Sequence, residues 1–307
     1  MTGQGGFRNF TGSLVSGVTP FQQNGDIDFG ALDALIERQL TRGTSGIYLA
    51  GLTGEATTLT ETEYFQLVKH VLDNKGPVPY LIGCSGGSER DVMQRVTFAG
   101  DHGAEAVLLT VPHNMGPSTS QATEFVLRVA DASPVPIVLF NNPSRLLTDF
   151  DTESLIRIAH HDNVIMHKEG SSLTGRIPEL LPHIHDKINF MGDDCADQDI
   201  ITPSLAMGAR GVVNVIGNIA PRATALLSRP WDENFDPLEY RELLALVWPL
   251  ARFCYSGRLP IAVKALMNEI GLPAGYMRRP LTELPSEQVK PGLEAYHRIV
   301  ERFGEDC

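Results

Sequence analysis

Val164-Ile165-Met166-His167-Lys168-Glu169-Gly170 is the stretch on which the reading of this chain turns. Three apolar residues, two of them β-branched, make a buried strand, and that strand ends in charge. Side chains alternate along a strand, so Met166 and Lys168 share one face while His167 takes the other. A lysine in this position is either a side chain reaching past its apolar neighbours to water or an amine held for chemistry. Desolvation among apolar groups favours the neutral amine, and a neutral amine attacks a ketone to give an iminium, an electron sink for the adjoining carbon.

Working outward, runs of the same kind recur at 13–18, 46–50, 80–83, 106–111, 137–141, 189–191 and 211–215. Helix-period segments separate them, at 29–42, 61–73, 89–102, 119–132, 152–160 and 197–207. In the second of these, Tyr64, Phe65, Val68, Val71 and Leu72 fall on one helical face. Near-continuously apolar strands alternating with helices indicate a parallel sheet covered by helices. An open doubly wound sheet competes, but eight regular units without a dinucleotide fingerprint favour a closed (β/α)8 TIM barrel. After Arg229 the pattern becomes helical throughout, at 236–253, 260–270 and 287–303. The expected organisation is therefore a barrel over 1–229 and a C-terminal helical domain over 230–307.

The 307 residues suit one barrel of roughly 250 residues with an appendage. A formal charge of -12 argues against nucleic acid and anionic membrane surfaces, which call for a basic face. Four widely spaced cysteines form neither a disulfide framework nor a zinc motif. With no apolar leader core and no long apolar window, a cytoplasmic protein that spans no membrane is expected.

Barrel chemistry sits at the C-terminal ends of strands and in the loops that follow. That rule selects Gly51-Leu52-Thr53-Gly54-Glu55, the loop 112–117, Phe140-Asn141-Asn142-Pro143-Ser144-Arg145, and Lys168 itself. The first loop offers backbone amides and the Thr53 hydroxyl to a small carboxylate, or is a plain turn. His113, in the second, is a candidate acid–base group or a loop histidine at a subunit contact. His167 should face the helices. His183 and His185 are expected in a loop at the opposite end of the barrel, Cys195 as a packed thiol, and Asp193-Asp194 as a possible cation site without an assured histidine. No resident metal is expected.

Gly51-Leu52-Thr53-Gly54-Glu55 with Glu63 downstream, Asn142-Pro143-Ser144-Arg145, and Lys168-Glu169 together resemble the dihydrodipicolinate synthase / N-acetylneuraminate lyase family. Val18-Thr19-Pro20-Phe21, Gly192-Asp193-Asp194, Gly211-Val212-Val213 and Pro260-Ile261-Ala262-Val263-Lys264 add to the likeness, in order, over about residues 8 to 300. The resemblance implies a barrel with a C-terminal helical domain, assembled as a homotetramer or dimer, and no cofactor beyond a covalent Schiff base with substrate. It makes Lys168 the Schiff-base lysine that captures pyruvate or another 2-oxo acid. Thr53, Leu52 and Gly54 become the carboxylate loop, and Arg145 the partner of an acid group on the second substrate. Asn114, Gly192 and Val213 complete the expected substrate contacts.

The same alignment exposes departures. The family's proton relay uses a hydroxyl residue where this chain has Leu52, a tyrosine where it has Phe140, and a second tyrosine where it has Asn114. Losing a positioned acid–base group costs on the order of 10²–10⁴ in rate. His113, a water or the substrate's own carboxylate would have to substitute. The expectation is a class I aldolase or lyase that joins a 2-oxo acid to, or releases it from, an acidic aldehyde. The alternatives are dihydrodipicolinate synthesis from pyruvate and aspartate semialdehyde, or a keto-acid-binding regulatory relative.

Overall fold

The computed structural model describes residues 6–112, 115–198, 200–304 and 307. Eight parallel strands close on themselves in chain order: β1 (Gly12–Ser16), β2 (Gly46–Leu49), β3 (Tyr80–Gly83), β4 (Ala106–Leu109), β5 (Ile137–Asn141), β6 (Val164–Glu169), β7 (Asn189–Asp193) and β8 (Gly211–Asn214). Closure removes both sheet edges. Inward-facing Leu14, Leu81, Leu108, Val138, Met166 and Met191 fill the interior. Below them the rings of Phe7 and Phe10, with centroids 5.4 Å apart, cap the N-terminal end, and Asn189 donates to the Phe10 carbonyl at 2.6 Å.

The helical layer follows from amphipathic segments with defined starts. Helix α1 (Phe29–Thr41) begins at an Asp28 cap, and α2 (Glu61–Asp73) at a reciprocal Thr60–Glu63 capping box. In α2, Tyr64, Leu67, Val68, Val71 and Leu72 are buried against the sheet. Helices α3 (Glu89–Asp101) and α4 (Thr119–Ala132) start on Ser88 and Ser118 in the same way. A single turn, α5 (Pro143–Leu146), precedes α6 (Thr152–Ala159), α7 (Arg176–Ile184), α8 (Ile201–Ala206) and α9 (Pro221–Leu227).

Three boundaries differ from the sequence reading. The helix expected over 197–207 starts only at Ile201, because Gln198 turns back onto the Cys195 carbonyl, and Pro203 is accommodated in the first helical turn. His183 lies within α7 and His185 caps it, so neither belongs to a loop. Strand β7 runs on to Asp193 rather than stopping at Met191. That extension puts Asp193 on the same face as Met191, which points into the barrel.

Beyond α9, α10 (Pro237–Cys254), α11 (Ile261–Glu269) and α12 (Ser286–Phe303) pack on one another as the C-terminal helical domain. Two ion pairs join this domain to the loop after β2 and to the first turn of α2. Lys264 of α11, fully buried, meets Glu55 at 2.7 Å and also donates to the carbonyls of Thr19 and Tyr276. Burial pushes the Lys264 amine below its usual range, and Glu55 opposes that shift. Arg278 donates from its backbone to Glu55 and from its guanidinium to Glu63, with one contact at 2.9 Å. The two glutamates of the motif are thus fasteners between barrel and helical domain. Among the described residues no helix is long and apolar enough to cross a membrane.

The Arg278 guanidinium holds the Glu63 carboxyl down to about 2. A depressed carboxyl contributes stability that is complete above its unfolded value near 4.5 and disappears as pH falls towards 2. Urea midpoints measured between pH 5 and pH 2.5 should therefore fall less for Glu63→Gln than for the wild type. Parallel losses in the two proteins would dismiss the fastening role.

Candidate active site

The mouth of the barrel is built by register. Phe140 pairs with Lys168 across β5 and β6, and Lys168 pairs with Met191 across β6 and β7. Cross-strand neighbours share a face, so Lys168 and Phe140 point inward together. The Lys168 amine lies 4.0 Å from the centroid of the Phe140 ring, over its face, a cation–π arrangement. One layer nearer the rim, Asp193 Oδ2 reaches the same amine at 2.8 Å. Lys168 is only 7% exposed. An apolar pocket holding this amine uncharged was expected; the structure instead gives a buried ion pair, because the longer β7 delivers a carboxylate that the sequence reading left elsewhere.

The opposite face of β6 carries a separate network. His167 turns to the helices, as alternation requires, and its Nε2 lies 3.0 Å from Glu169 Oε2. Glu169 Oε1 accepts from Asn141 and from the amides of Gly170 and Ser171. Gly170 is required by close packing. A Cβ on Gly170 would sit 2.7 Å from the Phe140 ring and 2.9 Å from the Asn141 carbonyl.

Around the amine is a cavity of 40 Å³, lined among others by Ser16, Tyr48, Leu52, Thr53, Arg145 and Tyr255. It adjoins a cavity of 490 Å³ that shares Tyr48, Leu52, Phe140, Asn142 and Arg145 and leads outward past Arg95. A 720 Å³ cleft at the other end of the barrel is larger but contains no lysine and no carboxylate. Thr53 is buried and accepts from the Ser16 hydroxyl at 3.0 Å, so its own hydroxyl proton is available to an anion. Pro143 starts the single-turn α5, which its fixed φ favours, and that turn carries Arg145 over the cavity. Leu52 is 39% exposed at the rim. Gly51 is there for close approach: a Cβ would lie 2.4 Å from the Tyr48 ring and hydroxyl.

Several expected contacts fall elsewhere. Gly54 packs under the loop, its carbonyl accepting from Thr19 at 2.8 Å. Gly192 faces α8, where a Cβ would meet Ser204 at 3.2 Å, and Val213 lies within the filled interior. Asp193 and Val215, each one or two positions along, line the cavity in their place. His113 and Asn114 lie outside the described residues.

Tyr255 was absent from the sequence reading. It follows α10, about forty residues past Val213, the last position read for chemistry, and no local pattern marks it. Its hydroxyl donates to Asp194 Oδ1 at 2.5 Å and lies 3.4 Å from Asp193 Oδ1. Asp194 also accepts from the amides of Val215 and Ile216, at 2.7 and 2.9 Å. Burial raises the Asp194 carboxyl, and the Asp193 charge adds to the rise. The two aspartates are committed to Lys168, Tyr255 and these amides, and among the described residues no group of three His, Cys, Asp or Glu side chains could hold a metal ion.

Fold and site define a barrel enzyme with a buried lysine at the mouth of its sixth strand. The model of the Dihydrodipicolinate synthetase family matches residues 9–298, and the chain belongs to that family. It is an enzyme of the dihydrodipicolinate synthase type. The 4-hydroxy-tetrahydrodipicolinate synthase of Marinobacter nauticus is 32% identical over 93% of this chain and 98% of its own. That of Pelobacter propionicus is 33% identical over 90% and 93%. Among solved structures, the chloride-inhibited dihydrodipicolinate synthase of Acinetobacter baumannii, complexed with pyruvate, superposes with a TM-score of 0.86 at 28% identity, covering 94% of this chain and 98% of that one. The enzyme from Aquifex aeolicus gives 0.87 at 27%, covering 97% and 99%.

Burial and the Asp193 charge push the Cys195 thiol up to about 11, and all four cysteines are buried. Titration with an aromatic disulfide reagent at pH 8 should find no rapidly reacting thiol in the native enzyme and four after denaturation. A fast native thiol would reopen Cys195 as a nucleophile.

Proposed function

We infer that Lys168 captures pyruvate, or a closely related 2-oxo acid, as a Schiff base and that the enzyme joins this unit to an acid-bearing aldehyde. The observation that carries the reading is the buried Lys168 amine in a small cavity that Thr53 and Arg145 also line. Attack of the amine on the keto carbon expels water and leaves an iminium. Loss of a proton from the adjoining carbon gives an enamine whose carbon is the nucleophile. No cofactor enters this scheme, since the protonated nitrogen is itself the electron sink.

For the second substrate, the names of the relatives weigh towards aspartate semialdehyde and the 4-hydroxy-tetrahydrodipicolinate synthase reaction. Leu52 and Phe140, standing where the family carries hydroxyls, favour a second reading in which another acidic aldehyde is used, or in which cleavage is the working direction. Exposed Leu52, Met115 and Leu147, on loops after β2, β4 and β5, are apolar surface that a homotetramer or dimer would cover.

Borohydride added with pyruvate should fix one adduct mass on the wild type and none on Lys168→Ala. Lack of an adduct at saturating pyruvate would end the Schiff-base reading, whereas an adduct without turnover across acidic aldehydes would favour the regulatory relative. A second measurement addresses the substrate. If aspartate semialdehyde is native and the missing phenol limits the rate, Phe140→Tyr should raise kcat by about 100-fold or more, the usual range for one acid–base group. A fall in kcat would indicate a pocket rebuilt for a different aldehyde.

A further inference from the structure

Schiff-base chemistry moves a proton at almost every step, and the three positions that serve the family for this hold Leu52, Phe140 and Asn114 here. The phenyl ring of Phe140 faces the amine but has nothing to donate. Yet the amine does have a proton partner. Asp193 Oδ2 stands 2.8 Å from it. Behind Asp193 a second carboxylate and a phenol continue the line. The Asp193 Oδ1 atom accepts from the Cys195 amide at 3.0 Å and lies 3.4 Å from the Tyr255 hydroxyl. That hydroxyl in turn sits 2.5 Å from Asp194 Oδ1.

We propose that Asp193 is the general acid–base of the Lys168 reaction and exchanges its proton with Asp194 through the Tyr255 hydroxyl. This relay stands in for the missing hydroxyls, and it rests on the Schiff-base reading above. Tyr255 has one hydroxyl proton between two carboxylates. In the arrangement described it gives that proton to Asp194, the shorter contact. When Asp194 is protonated on Oδ1, it donates to the Tyr255 oxygen, and the phenol turns its own proton to Asp193. A buried carboxylate disfavours ionisation of its neighbour, which makes Asp194 the member of the pair that takes up a proton while Asp193 faces Lys168. The elevated Asp194 carboxyl agrees with this.

The steps balance around Asp193. The ammonium of Lys168 gives a proton to the carboxylate, leaving a neutral amine and a carboxylic acid. The amine adds to the keto carbon, and a proton passes from nitrogen to the alkoxide, giving a neutral carbinolamine. Asp193 then donates its proton to the departing hydroxyl, the C–O bond breaks to release water, and the nitrogen lone pair forms the C=N bond. The product is an iminium beside a carboxylate again. In the next step the carboxylate removes a proton from the carbon adjoining the former ketone, the C–H electrons become the enamine double bond, and the positive charge on nitrogen is discharged. Asp193 is within hydrogen-bond distance of the Lys168 nitrogen, the reacting atom, which qualifies it as a catalytic residue. Tyr255 and Asp194 act through it and are positioning residues.

The test separates adduct formation from proton transfer. Wild-type enzyme with pyruvate in D₂O is followed by proton NMR of the methyl group, and parallel samples are reduced with borohydride and weighed. Wild type should both form the adduct and exchange the methyl protons. Asp193→Asn, which preserves shape and removes the base, should exchange at least about 100-fold more slowly, and adduct formed at long incubation should remain detectable. Tyr255→Phe, which keeps the ring, should give full adduct with exchange slowed by roughly tenfold, a split that a purely structural role would not produce. Exchange at the wild-type rate in either variant overturns the relay. If Asp193→Asn does not fold, Tyr255→Phe decides alone. Absence of an adduct in the wild type removes the Schiff-base reading and the relay with it, whereas an adduct with unaltered exchange in the variants removes the relay only.

Discussion

A lysine ammonium and an aspartate carboxylate meeting at 2.8 Å just inside the mouth of the barrel is the contact on which the rest of the site depends. Either charge left there without the other would be strongly destabilising, about 3–5 kcal/mol when one partner of a buried pair is removed. Much of the neighbourhood can be understood as support for the pair. The β6–β7 register sets the two residues one layer apart, the Phe140 face lies against the amine, and the Cys195 amide and Tyr255 hydroxyl attend the free carboxylate oxygen. The pair is also one proton shift from a neutral amine and a carboxylic acid, so the arrangement that holds the charges is already the first step of imine chemistry.

Leu52 and Phe140 bring apolar side chains to the cavity around the amine, while Asp193 of β7 and Tyr255, just after α10, bring a carboxylate and a phenol. Two glycines make room for aromatic rings at this mouth. Gly51 leaves space for the Tyr48 ring and Gly170 for the Phe140 ring, each at distances that no Cβ could occupy. Arg145 and Thr53 line the same cavity, Thr53 from the loop after β2 and Arg145 from α5.

What could be read from the chain alone was whatever has a short period. Alternating runs located the eight strands to within a few residues, and the two-residue period was enough to turn Lys168 inward and His167 outward. Pairing between elements was not legible. Asp193 was visible as part of a Gly-Asp-Asp motif, yet its contact with Lys168 depends on two more residues of β7 and on a register set across the sheet. Tyr255 reaches the mouth only through the packing of α10. Glu55 and Glu63 were conspicuous as motif letters, and their reason, two cations on the helical domain, exists only in three dimensions.

That last connection bears on how such a scaffold can diverge. Tyr255 and Leu259 close the mouth from the helical domain, and Lys264 grips the turn that presents Thr53. The eight repeated units are thus an incomplete reactor, finished by a segment that lies outside the repeat. Drift in the final quarter of the gene can retune proton handling and aldehyde preference while every strand is left alone, and a chimera that exchanges that quarter between relatives would transplant chemistry along with scaffolding.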